Sequence, residues 1–268
     1  MRGKIRRTMS MTYNMITMYL KTIGDTNALV VFVSFIIPFL VTLFELLFWG
    51  AITENGVYYM GIRSSDLVKY ILLANLFQQQ FNVYTPATAA LWEGSIIRYY
   101  TRPVSIIQQL VYEMIGKLWI PKWLMFSIPT VLIIAICGFE FLPYDFIHFI
   151  FFLISMLMAI IIGFEIDIAF SSIAIRLKNG CWAAVQIRNA IIIVLSGQPV
   201  PFQVLPDKLA GFLMLLPFAS IANAPLSIYV GGDYTVRILL QCFWAIVLGF
   251  VSYIMFTKAE EEMVSFGG

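Results

Sequence analysis

Apolar and polar positions alternate along this chain in long blocks, and the blocks predict helices before any single residue is considered. Residues 1–27 place Ile5, Met9, Tyr13, Ile16, Leu20 and Ile23 at three- and four-residue intervals, opposite Arg6, Arg7, Asn14 and Lys21. That spacing predicts an amphipathic helix lying at a membrane interface, its basic face toward an anionic leaflet. Ala28 to Ile52, Leu67 to Leu91, Lys117 to Phe139, Asp145 to Ile175 and Arg237 to Lys258 are each long enough to cross a hydrocarbon core of about 30 Å. Cys181 to Ser196 predicts a fifth helix, in chain order, that stops short of a full crossing. Leu209 to Ile221 is shorter still and is interrupted by Pro217. Residues 197–232, rich in Pro and Gly, therefore predict short re-entrant or outer helices between spans five and six. Such breaks survive at membrane depth only where protein or a wet cavity satisfies the freed backbone groups.

Composition agrees with the pattern: 60% of the 268 residues are hydrophobic and 12% are charged, against about a quarter charged in a soluble domain. The expected fold is an all-α polytopic membrane protein, a single permease-sized domain over 1–268 with six transmembrane helices. The charge of +2 is too small to suggest nucleic acid, but its distribution is informative. With both termini cytoplasmic, thirteen basic residues, Arg98, Arg102, Arg176, Lys178 and Arg188 among them, fall on inner segments. Four, Arg63, Lys69, Lys208 and Arg237, fall outside.

Candidate chemistry is sparse. No phosphate-binding glycine loop, His-Glu-x-x-His or Gly-x-Ser-x-Gly occurs, so any ATP must be handled by another chain. Cys137, Cys181 and Cys242 have neither metal-site nor disulfide spacing, and His148 stands alone near a span end. No cofactor or metal is expected on this chain. Glu45, Glu165 and Asp167 are costly inside spans unless they face protein, water or a partner. Glu165 and Asp167 lie about 200° apart around a helix and cannot share a face. They are pathway residues, polar contacts between helices or contacts to another subunit. The polar second span adds Gln78, Gln79 and Asn82 as pathway candidates, beside Gln80. Aromatics at span ends, such as Trp49, Trp123 and Trp182, predict interface belts.

Residues 92–108 form the main polar island. Trp92, Ile96, Ile97 and Tyr100 can share an apolar face beside Glu93, Arg98 and Arg102, and Pro103 ends the helix. A short amphipathic helix of this kind suits a groove on a soluble partner. Glu93-Gly94-Ser95-Ile96-Ile97 followed by Thr101-Arg102-Pro103 resembles the segment between the second and third helices of ABC-2 type permeases, with Tyr100-Thr101 departing from the usual leucine. Leu73-Ala74-Asn75, Leu216-Pro217-Phe218, Pro225, Ile228-Tyr229-x-Gly231 and Gly267-Gly268 follow in the same order, so the resemblance runs over nearly the whole chain.

The resemblance implies the membrane subunit of an ABC exporter. A second permease, identical or related, and two copies of a separate ATPase carrying ATP and Mg are its implied partners. Trp92, Glu93, Gly94, Ile97, Arg98, Arg102 and Pro103 then belong to a cytoplasmic coupling helix, with Arg176 and Lys178 in a second ATPase contact. A membrane-embedded enzyme and a passive channel or sensor subunit are the alternatives. The cargo class, a drug, lipid, peptide or glycan, is left open.

Overall fold

A computed structural model describes residues 2–21, 28–53, 58–59, 62–93, 95, 97–102, 104–136, 141–174, 181–198 and 200–265. The described residues are helical apart from turns and one antiparallel pair, β1 (Tyr58–Tyr59) with β2 (Ile62–Arg63). α1 (Arg2–Lys21) and α2 (Ala28–Thr53) precede that pair. α3 (Ser64–Leu76), α4 (Gln78–Phe81), α5 (Ala87–Trp92) and α6 (Ile97–Tyr100) follow it. Next come α7 (Ile106–Met114), α8 (Ile120–Lys122) and α9 (Ile128–Ile136), then α10 (Phe146–Ala174) and α11 (Cys181–Leu195). α12 (Asp207–Met214), α13 (Asn223–Tyr229) and α14 (Thr235–Ser265) complete the chain.

Among the described residues, Ile106–Ile136, Phe146–Ile173 and Thr235–Ala259 are each long and apolar enough to cross a membrane, while Phe35–Ala51 and Trp182–Leu195 are shorter apolar stretches. Two predicted spans differ from expectation. The third helix begins at Ile106 rather than Lys117, where the Ser105 hydroxyl caps it by accepting from Gln108 N at 3.4 Å. It runs through Pro121 and Pro129 because each proline follows a π-helical turn, Ile115–Trp119 or Trp123–Ser127. The carbonyl four residues before each proline lies inside that turn, whose i to i+5 register passes the acceptor to the next N–H.

The second predicted span, Leu67 to Leu91, is not one helix. It is interrupted after Leu76 and again over residues 82–86. Pro86 has no N–H and biases Thr85 toward extended backbone, so the helix cannot run through this point.

α10 is the central post, packed against α14, α13, α5 and α11. Its buried Phe152, Met156, Ile162 and Ile166 join Tyr70, Phe81, Leu226 and Ile228 in the main apolar cluster. At the bundle end where α10 begins, Arg63, Lys69, Tyr144, Gln203 and Tyr229 surround a cavity of about 720 Å³. At the opposite end Tyr99, Leu110, Ile168 and Phe256 pack together. Aromatic placement is mixed: Trp182 is exposed as a belt residue should be, but Trp49 is buried against Leu67, Ile71 and Val204. α1 lies along α7, and Thr12 Oγ1 donates to Tyr112 Oη at 2.9 Å. The amphipathic first helix is therefore docked on protein along part of its length.

Candidate functional site

The break at residues 82–86 and the groups that complete it form the polar centre of the bundle. An irregular backbone here frees the Val83 carbonyl and the Thr85 N–H from helical partners. Asp167 of α10 accepts from Thr85 N at 2.9 Å and from Thr85 Oγ1 at 2.5 Å. Arg188 of α11 donates to the Val83 carbonyl, to Asn82 Oδ1 at 3.3 Å and to Asn189 Oδ1 at 2.9 Å. The two charges face each other, Arg188 Nε 3.4 Å from Asp167 Oδ1, with side chains 2% and 1% exposed. That contact is an ion pair without hydrogen-bond alignment, since neither atom has a hydrogen-bond partner. Asp167 thus acts as a contact between helices. Arg188, counted by charge distribution among the inner basic residues, is instead buried, its desolvation offset by Asp167, the Val83 carbonyl and the amide oxygens of Asn82 and Asn189. The signal for it was present: an arginine in the middle of a predicted span.

The other candidates separate around this centre. Gln78 and Asn82 line a cavity of about 140 Å³ with Glu45, Asn75, Gln198, Val41, Ala74 and Ile193. Asn75 Nδ2 donates to Glu45 Oε2 at 2.7 Å, tying α3 to α2. Gln79 is not among the lining residues. Gln80 is buried elsewhere, accepting from Trp123 Nε1 at 2.7 Å once its amide is oriented to satisfy both neighbours. Glu165, on the other side of α10, faces α14: a Cβ on Gly249 would lie 2.9 Å from its Oε1. Its Oε2 is buried without a hydrogen-bond partner. Glu165 and Asp167 do occupy different faces, as their spacing requires.

Residues 196–232 carry the breaks expected of a re-entrant segment, and side chains of neighbouring helices satisfy the exposed backbone. The Gly197 carbonyl, at a residue with φ +76°, accepts from Tyr70 Oη at 2.6 Å. Asn223 N donates to the Ser196 carbonyl at 2.9 Å. Trp244 Nε1 donates to the Leu215 carbonyl at 3.0 Å. Gln241 Nε2 donates to the Ser220 carbonyl at 2.8 Å and to the Ser155 carbonyl at 3.1 Å, while its Oε1 accepts from Ser155 Oγ at 2.9 Å. Gln241 lies about 9 Å along α14 from its first residue, so the turn at Ser220 reaches well into the bundle. Gln241→Leu is expected to cost about 1–3 kcal/mol in detergent unfolding, because it leaves buried polar groups on both neighbours without partners.

The polar loop is only partly helical: among its described residues the helix is α6, Ile97–Tyr100. Gly94, Pro103, Arg176 and Lys178 lie outside the described residues, and Trp92 is described only as the last backbone position of α5. Glu93, Arg98 and Arg102 are exposed, as are Ile97 (52%) and Tyr100 (57%). Tyr99 turns inward. Its Oη donates to Glu113 Oε2 at 2.7 Å and accepts from Arg98 Nη2 at 3.0 Å, with the guanidinium 4.9 Å from the ring centroid. Burial, and then the acidic partner Glu113, hold the Tyr99 phenol well above its ordinary range, so it remains protonated. Lys117 Nζ also donates to Glu113, at 2.6 Å. Gln109 Nε2 donates to the Tyr99 and Val104 carbonyls at 2.7 and 2.8 Å. Glu113, Gln109 and Tyr99 were missed by the sequence reading, because their roles appear only when the third helix starts at Ile106.

His148 receives no catalytic surroundings. It sits 2.6 Å from Asp145 Oδ1 between the rings of Tyr144 and Tyr234, and among the described residues no group of potential ligands could hold a metal.

Broken helices with internally satisfied backbones, around a long apolar central helix, fit a polytopic membrane protein. Residues 39–267 match the ABC-2 family transporter protein, and the chain belongs to that family: it is an ABC transporter membrane subunit. The match takes in every one of the ordered motifs from Leu73 to Gly267 and leaves out α1. A comparison with curated proteins found no match to the chain. Subunits of this family work with an ABC ATPase in a lipid bilayer.

Proposed function

We propose that this chain is the membrane half of an ATP-driven exporter, that it pairs with a second identical or related permease, and that two copies of a separate ATPase bind ATP and Mg. Both termini and residues 92–108 are then cytoplasmic, and the 197–232 segment faces outward in the cell membrane. Removing the buried Arg188 from the charge tally leaves twelve inner basic residues against four, which still supports this orientation.

The observation that carries the reading is the two-sided construction of α6. Ile97 and Tyr100 are presented outward, while Tyr99 between them is buried against Ile168 of α10, Leu110 of α7 and Phe256 of α14. A push on the exposed face is delivered through one ring to three long helices, and packed helices shift as units rather than deforming continuously. The substrate leaves toward the outside through rearrangement around the broken α3–α5 segment.

The double variant Glu93→Ala, Arg102→Glu tests this. The purified membrane subunit is expected to remain monodisperse but to lose the co-purifying ATPase, or its substrate-stimulated hydrolysis. Normal co-purification together with normal stimulation overturns the assignment of this loop.

A further inference from the structure

The small cavity beside the helix break has a chemical sign. Glu45 is its one charged lining residue, and among the described residues no cation lies within ion-pair distance of it. The strong cation nearby, Arg188, is already matched by Asp167. Of the lining amides, Asn75 is the one that meets Glu45. Both amide hydrogens of Asn75 are committed, to Glu45 Oε2 at 2.7 Å and to the Ile71 carbonyl at 3.1 Å. Gln198 Nε2 is directed at the Ala74 carbonyl at 3.4 Å. What Asn75 leaves for an occupant is its carbonyl oxygen, next to a carboxylate of which it engages only Oε2. One amide contact leaves the Glu45 charge itself unmatched, and a carboxylate within a span is costly until a cation meets it, so the cavity favours a positively charged donor group.

Size and position narrow the occupant further. About 140 Å³ is well below the several hundred Å³ of a site that encloses a whole drug-sized ligand. It admits a head group and leaves the body outside. The lining side chains Val41 of α2 and Ile193 of α11 are both exposed, and each continues into an exposed apolar surface, Ile37 and Phe44 on one side and Val194 on the other. The mouth of the cavity therefore opens onto surface that suits an acyl chain. We propose that the cavity between α2, α3–α4 and α11 holds the ammonium head of a cationic amphiphile entering sideways from the bilayer, with Glu45 as the counter-charge and Gln78, Asn75 and Gln198 as acceptors. This deepens the exporter reading by naming a substrate class, and rests on it for the step of transport but not for binding.

The test uses the full chain, purified in a neutral maltoside detergent without any ATPase, and follows its thermal unfolding midpoint. Dodecylammonium chloride is expected to raise the midpoint in a saturable way, whereas dodecanol and methylammonium chloride at matched concentrations do not. Glu45→Gln keeps an acceptor for Asn75 but removes the charge, and it is expected to require roughly tenfold more dodecylammonium for the same shift. Gln78→Leu, which leaves the Glu45–Asn75 contact alone, provides a second variant with a weaker effect in the same direction. Equal stabilisation by dodecanol, or an undiminished response in Glu45→Gln, overturns the proposal. So does an equal response to methylammonium, which would make the cavity a site for a bare cation. Because no ATPase is present, failure here leaves the coupling assignment standing, and loss of coupling in the Glu93/Arg102 variant leaves this binding unchanged.

Discussion

Arg188→Met is expected to lower the unfolding free energy of the purified chain by about 3–5 kcal/mol, the usual consequence of stripping one partner from a buried ion pair. The loss has two sources. Asp167 is left as an uncompensated charge in a site 1% exposed to its surroundings, and the Val83 carbonyl loses its donor. The second source is unavoidable in any neutral replacement; the first is not. Adding Asp167→Asn to Arg188→Met removes the stranded charge while keeping an amide oxygen to accept from Thr85 N. The double variant is therefore expected to recover part of the loss, with a coupling energy on the order of 1–3 kcal/mol. Asp167→Asn alone should resemble Arg188→Met, since it strands the arginine instead. Equilibrium unfolding in mixed detergent reads all four proteins. If Arg188→Met falls within about 1 kcal/mol of the parent, the pair does not hold the break, and another explanation of residues 82–86 is needed.

The same centre explains which parts of this protein were legible in its sequence. α10 and α11 were read almost to the residue, because a predominantly apolar stretch bounded by polar loops marks its own ends. The broken helices between α11 and α14 were legible from their prolines and from the shortness of their apolar runs. Asp167 was recognised as needing a partner, but the partner was not identifiable. Thr85 lies 82 positions away, and the Val83 carbonyl lies 105 positions from Arg188. No local pattern encodes such a pairing, and Arg188 was counted with the inner basic residues as a topology signal although it lies mid-helix. Polar residues of the second span were grouped as pathway candidates; within α4 residues two apart point to opposite faces, so Gln78 and Asn82 reach the cavity while Gln80 meets Trp123. The polar loop shows the converse error. Its outward residues were visible as an amphipathic pattern, yet Tyr99, which joins the loop to the bundle, was hidden until Glu113 and Gln109 were placed on the same helix as Ile106.

Gly163→Leu is the substitution expected to disturb the break from the opposite side. Gly163 lies in the middle of α10, where a glycine has no role in ending the helix, and its value is the space above it. A Cβ at this position would come 2.8 Å from Val83 Cγ2 and 3.3 Å from Val83 Cβ. Val83 is itself fully buried, and its carbonyl is held by Arg188, so it has little freedom to retreat. Small residues serve membrane helices in this way, allowing neighbouring backbone to approach closely enough to be satisfied by side chains. A leucine must push residues 82–86 away from α10, at a cost of about 1–3 kcal/mol for overpacking, and more if Thr85 is drawn off Asp167. Gly163→Ala presents the smaller clash, and Val83→Ala removes the methyl it meets, so the Gly163→Ala, Val83→Ala pair is expected to be more stable than Gly163→Ala alone. Val83→Ala by itself should cost stability by leaving a void. That crossed pattern, one alanine harmful alone and helpful in combination, is what close approach at this point requires; simple additivity of the two replacements would mean that Gly163 and Val83 do not touch.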